Sequence, residues 1–216
     1  MMLHRRELCA LTLGAALLGG CGRGAVPSDP DESAKAKLDS CSPNPLVGLK
    51  PAIQIDAVEL RMVCETLNPP GASGRMLLSS GSGCASGACA AEVEALDRRL
   101  QGWEAERPPA QPCKQYLVGM RGDRVVVSAS SDAELRSFLG AIDTRSEAEL
   151  LVKLHEISCD RSGEHGGRYL IASSAIAEAC PSRTRDAFYS VDAQGALERL
   201  SDGAGEEGCV VGASPK

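Results

Sequence analysis

Eight cysteines between Cys41 and Cys209 constrain this chain more than any other feature. Cys41, Cys64, Cys84, Cys89, Cys113, Cys159, Cys180 and Cys209 form an even set with irregular spacing. In a chain that leaves the reducing cytoplasm such a set pairs into four bridges, with connectivity open among roughly a hundred possibilities. Metal binding is the rival use of clustered cysteine. There is no Cys-x-x-Cys pair, however, and His155, Cys159 and His165 are the one mixed cluster from which a zinc site would have to be built. Bridges are therefore the expected use of all eight, and no cofactor is expected. The composition gives them a role, because Trp103, Tyr116, Phe138, Tyr169, Phe188 and Tyr189 are the chain's whole aromatic complement. A core built mostly from Leu, Val, Ile and Ala gains less per residue than one rich in large rings. Each disulfide offsets that by about 2 to 4 kcal/mol.

The N-terminal end supplies the reason to expect export. Arg5 and Arg6 precede a largely apolar run from Leu8 to Leu18, followed by the small residues Gly19 and Gly20 and then Cys21. Leu18-Gly19-Gly20-Cys21 resembles the lipobox of bacterial lipoproteins. The resemblance implies cleavage before Cys21, a diacylglyceryl group on its sulfur and an acylated amino terminus. Cys9 then leaves with the leader and Cys21 is consumed by lipid, which is why eight cysteines count toward bridges. Gly22, rather than Asp, after the cysteine implies sorting to the outer membrane in a double-membrane bacterium. The same residues also fit a secretory leader cut after Ala25, which leaves a soluble protein. A retained spanning helix is the least favoured alternative, since the apolar run falls short of the ~20 residues that cross a bilayer.

Charge narrows the partners. Without Arg5, Arg6 and Glu7 the chain carries 21 basic and 28 acidic side chains, a net charge of −7. There is no concentrated basic face and few rings for stacking, so nucleic acid is not an expected partner. The expected partners are the membrane, through the lipid anchor, and another envelope protein or a small ligand.

Residues 1–20 read as the leader, 21–40 as lipidated terminus and flexible tether, and 41–216 as one extracytoplasmic domain. Val58, Leu60, Met62 and Cys64 alternate with polar positions and predict a strand, against a rival helix capped by Asp56. The Gly-, Ser- and Pro-rich stretch 69–89 reads as a loop stapled by cysteine. Val93, Leu96, Leu100 and Trp103 then predict an amphipathic helix stopped at Pro108-Pro109. Tyr116–Met120 and Val125–Ser128 predict a hairpin turning at Arg121-Gly122-Asp123-Arg124.

Two capping boxes, Ser131 with Glu134 and Thr144 with Glu147, each open a helix. Ala133-Glu134-Leu135, Phe138 to Thr144 and Glu147-Ala148 resemble a segment of uncharacterised secreted proteins and lipoproteins of myxobacteria, a resemblance that implies no activity. The polar run Ser162–Gly167 reads as loop. Arg168–Ser173, Ala187–Val191 and Ala196–Leu200 predict strands, the last two joined as a hairpin, and Cys209-Val210-Val211 a short edge strand. The expected fold is a single α+β domain, a mainly antiparallel sheet with two or three helices on one face.

Chemistry is sparse. The chain lacks Gly-x-Ser-x-Gly, Ser-x-x-Lys, His-Glu-x-x-His and calcium-loop patterns. His155 beside Glu156 has the composition of a general base, but a histidine near a helix C-terminus is favourable for the dipole alone. No catalytic residue is assigned. The expected function is a membrane-anchored envelope lipoprotein with a non-catalytic binding or interaction domain. The alternative is an extracytoplasmic hydrolase or metalloenzyme whose site assembles only in the fold.

Overall fold

The structure, a computed structural model, describes residues 30–67, 70–84, 87–107, 111–179, 182–202 and 207–208. It is an α+β fold in which the strands form two antiparallel sheets among the described residues. The first sheet contains β2 (Ala57–Leu67), β3 (Pro70–Gly81), β4 (Trp103–Arg107), β5 (Gln111–Arg121) and β6 (Arg124–Ala129). Its order is β3-β2-β5-β4, and β6 shares the outer edge of β5 with β4. The second contains β1 (Asp39–Ser40), β7 (Arg161–His165), β8 (Arg168–Ala179), β9 (Ser182–Val191), β10 (Leu197–Asp202) and β11 (Glu207–Gly208). Here β10 and β11 share the outer edge of β9 in the same way.

Between the sheets lie α3 (Asp132–Leu139) and α4 (Arg145–Leu154). One continuous core joins Leu60 and Leu117 of the first sheet, Phe138 of α3, Leu150 of α4, and Ile171 and Val191 of the second sheet. Alternation along the strands decides what the outer faces cover. On the far side of the first sheet Val63, Tyr116 and Val118 meet Cys89 and Val93 of α2 (Gly87–Asp97). On the far side of the second, Leu170 and Phe188 meet Ala34 of α1 (Glu32–Lys35). The helices therefore occupy more than one face. Each sheet buries apolar side chains on both of its faces, which gives an aromatic-poor chain more apolar area to bury than a single two-layer packing offers.

Both helices open on the predicted N-cap, but only Thr144 and Glu147 make the reciprocal box; Ser131 accepts from the Glu134 N–H, whereas the Glu134 carboxylate takes the N–H and hydroxyl of Ser130 instead of the Ser131 N–H. Glu147 is 0% exposed and also takes the N–H groups of Asp143 and Lys50, each at 3.0 Å. One carboxylate thus closes the α3–α4 turn and ties down the loop that leads into β2. The β5–β6 hairpin turns at Gly122, and Asp192–Gly195 joins β9 to β10.

Several expectations are corrected. Residues 31–40 were expected in the tether, but Asp31 caps α1, Ala34 and Leu38 are buried, and Asp39 and Ser40 pair with Ser162 and Arg161. The fold thus includes at least the ten residues before Cys41. The expected loop 69–89 holds β3, which pairs with β2 along its whole length. The polar run at 162–167 holds most of β7, paired on both sides and turning at Gly166-Gly167. The helix expected to reach Trp103 stops at Asp97, because Leu100 and Gly102 take positive φ and Trp103 opens β4. A Cβ at Gly102 would lie 1.9 Å from the Gln115 carbonyl oxygen, so only glycine fits this turn.

Three bridges are present among the described residues: Cys41–Cys159, Cys64–Cys113 and Cys84–Cys89. The first fastens the N-terminal segment beside α4, the second joins directly opposed residues of β2 and β5, and the third closes the link into α2. They place the folded chain in an oxidising, extracytoplasmic compartment. Cys180, Cys209 and the edge strand expected at 209–211 lie outside the described residues. No helix of the described residues is long and apolar enough to cross a membrane.

Candidate functional site

Two local patterns converge between β2, β3 and α2. Along β2, Glu59 and Arg61 alternate with Val58, Leu60 and Met62, so the two charged side chains share the face that α2 covers. On α2, Cys89, Val93 and Asp97 fall four residues apart and are all buried, so an otherwise apolar stripe ends in a carboxylate. The stripe sets Asp97 opposite Arg61. The guanidinium grips it with both ends of its fork, Nε donating to Oδ1 at 3.2 Å and Nη2 to Oδ2 at 2.9 Å. Arg61 Nη1 donates to Glu59 Oε2 at 2.9 Å, and the Tyr116 hydroxyl donates to Asp97 Oδ1 at 2.5 Å.

Two glycines make room for the carboxylates. A Cβ on Gly74 would lie 2.2 Å from the Asp97 carboxyl group, and one on Gly83 would lie 2.8 Å from Glu59 Oε1. Above the ion network opens a cleft of about 550 Å³. Glu59, Arg61 and Asp97 form its floor, while Met76 from β3 and Ala90 and Val93 from α2 supply apolar wall. The Cys84–Cys89 bridge secures the chain entering α2, with Cys84 Sγ 3.5 Å from Met120 Sδ in the sheet below.

Arg61 and Tyr116 are each held in their protonated form. Burial disfavours the Arg61 charge, but the bonds to Asp97 and Glu59 outweigh it and keep the guanidinium above its ordinary value. Burial pushes the Tyr116 phenol up, and its bond to Asp97 pushes it further, so it stays protonated beyond its ordinary 10.0. The unfolded phenol ionises first, so the stability Tyr116 contributes is complete below pH 10 and is lost as the pH rises through the folded-state value. Urea unfolding between pH 9 and 11.5 is expected to show this loss above about pH 10, with a shallower slope in Tyr116→Phe.

The residues weighed in the sequence as a rival zinc cluster or general base lie elsewhere. Cys159 is bridged to Cys41, so its sulfur is not available as a thiolate ligand. The two histidines of that rival cluster lie on different elements: His165 ends β7, whereas His155 caps α4 and places Nε2 3.1 Å from Asp132 Oδ1. Asp132 also accepts from Trp103 Nε1 at 2.7 Å, a link between β4, α3 and α4. Glu149 lies beside the Cys41 and Cys159 sulfurs in a metal-like group. Its oxygens are taken by the Ser42 N–H, by Arg145 Nε and by the Ser162 hydroxyl, which makes it a tie for the N-terminal segment. Cys21 lies outside the described residues. The reading from sequence missed the Arg61–Asp97–Tyr116 network. Its one signal was the pair of charges spaced two apart in an apolar strand.

Compared with known proteins, the chain matches no family model, no curated protein and no solved structure.

Proposed function

We propose that this chain is a membrane-anchored envelope lipoprotein whose domain works by binding, with the cleft between β2, β3 and α2 as its recognition site. The observation that carries the binding reading is the floor of that cleft. Arg61 is held by Asp97 and Glu59, and Asp97 by Tyr116, so the polar groups are fixed before any ligand arrives. Such preorganisation lowers the cost of association.

The anchor reading rests on Leu18-Gly19-Gly20-Cys21 after a cationic and apolar leader, and the bridges support it by requiring export. The myxobacterial resemblance belongs to the same reading, and its segment spans α3, the turn and the start of α4. With α1 beginning at Glu32, an acylated Cys21 keeps the domain within roughly 35 Å of the bilayer surface even with the intervening chain fully extended. More than one acyl chain gives stable attachment.

Cys21→Ala removes the sulfur that takes the lipid. Metabolic labelling with radioactive palmitate should mark the wild type and leave the variant unlabelled, uncleaved and lost from the sedimented outer-membrane fraction. A Cys21→Ala protein that is cleaved normally and retained in that fraction counts against the anchor.

A further inference from the structure

The charge of the cleft is unbalanced in a way that selects a ligand. Glu59 and Asp97 share one cation, Arg61, whereas Glu94 at the rim has its own partner in Arg98. Arg61 has committed three of its five N–H donors to these two carboxylates, and its single positive charge faces two negative ones, so the site has no net positive charge to offer an anion. Glu59 uses Oε2 for Arg61, and its Oε1 points toward the space that the missing side chain of Gly83 leaves open. A carboxylate that is nine-tenths buried and shares its counter-ion gains from a second cation.

The walls add a second requirement. Met76 is 52% exposed, a large apolar side chain left standing at the mouth, with Val93 and Ala90 on the opposite side. A thioether adapts its shape to what it meets. The volume of about 550 Å³ falls within the range that takes small molecules.

We propose that this cleft binds a primary amine carried on a small apolar body, the ammonium at Glu59 and the body between Met76 and Val93. The inference rests on reading the domain as a binding module and names the class of its ligand. Formation of the complex leaves the Arg61–Asp97 fork intact and adds the missing positive charge. The amine stays protonated, and no covalent step is involved.

The test uses the full mature protein in phosphatidylcholine nanodiscs, with empty nanodiscs as blank, and equilibrium dialysis of radiolabelled phenethylamine and 3-phenylpropionate. The two probes share a body and differ in charge. Wild type is expected to retain the amine at least about tenfold more tightly than the acid. Glu59→Gln, which keeps an acceptor for Arg61 but drops the charge, should lower amine affinity about tenfold. Ala90→Trp, at an exposed helix position, should block the cleft with a similar loss and no change of charge. Equal retention of the two probes, or amine retention unchanged in both variants, overturns the proposal. Retention of the acid alone overturns the amine class while leaving a binding module. Retention of neither also overturns the class, and the anchor is judged separately by Cys21→Ala.

Discussion

Replacing Cys41 and Cys159 by alanine is expected to destabilise the domain by about 5 kcal/mol, the largest effect of the three described bridges. The reason is chain length. The two cysteines are 118 residues apart, so their link removes more freedom from the unfolded chain than Cys64–Cys113, separated by 49, or Cys84–Cys89, separated by 5. On the same argument the latter two are worth about 4 and about 2 kcal/mol. The Cys41–Cys159 bridge also extends a ladder, since the Cys41 N–H donates to the Asp160 carbonyl at 3.1 Å just beyond the β1–β7 pairing. Urea unfolding of the three double-alanine variants reads the order. An order that does not follow separation would mean that the bridges act through native contacts.

Asp97→Ala is expected to cost about 3 to 5 kcal/mol, because it leaves the Arg61 charge and the Tyr116 hydroxyl without the carboxylate both were buried against. Glu59 remains as a partner for one Nη group, which favours the lower end of that range. The same network can be struck from the backbone side. Gly74→Ala inserts a methyl group 2.2 Å from the Asp97 carboxyl, so it should also destabilise, although no charge is removed. Loss of stability in Asp97→Ala together with a neutral Gly74→Ala would show that the strand yields there and that the fork is less closely confined. Chemical denaturation monitored by Trp103 fluorescence separates these outcomes.

What could be read from sequence was what local chemistry specifies. Ser131 and Thr144 stand three residues before glutamates, and a helix starts at each because the cap side chain satisfies an orphan N–H wherever the rest of the chain lies. The turns at Gly122 and Gly195 were legible because positive φ favours glycine there. Strand β2 was legible from its period of two.

The failures share a cause. Strands β3 and β7 carry compositions that read as loop, and they are strands because long partners impose the pairing. At Gly163 the lack of a side chain is itself a packing device, since a Cβ there would press on Leu38 at 3.1 Å. Leu38 in turn lay in the supposed tether, where one apolar residue among polar neighbours gave no periodic signal. The candidate site was hidden by distance along the chain. Arg61 and Asp97 are 36 residues apart and Asp97 and Tyr116 are 19 apart, and none of the three forms a motif with its sequence neighbours.

The proposed lipid anchor and the complete pairing of the eight cysteines can be read in one experiment. The most direct test is the intact mass of the protein purified from its native membrane, denatured and alkylated without reduction. The expected mass is that of a chain that begins at Cys21, carries a diacylglyceryl group and an amide-linked acyl chain, and takes up no alkylating label on Cys41, Cys64, Cys84, Cys89, Cys113, Cys159, Cys180 or Cys209. A chain that begins after Ala25 without lipid would contradict the anchor, and label on any of those eight cysteines would contradict the complete pairing.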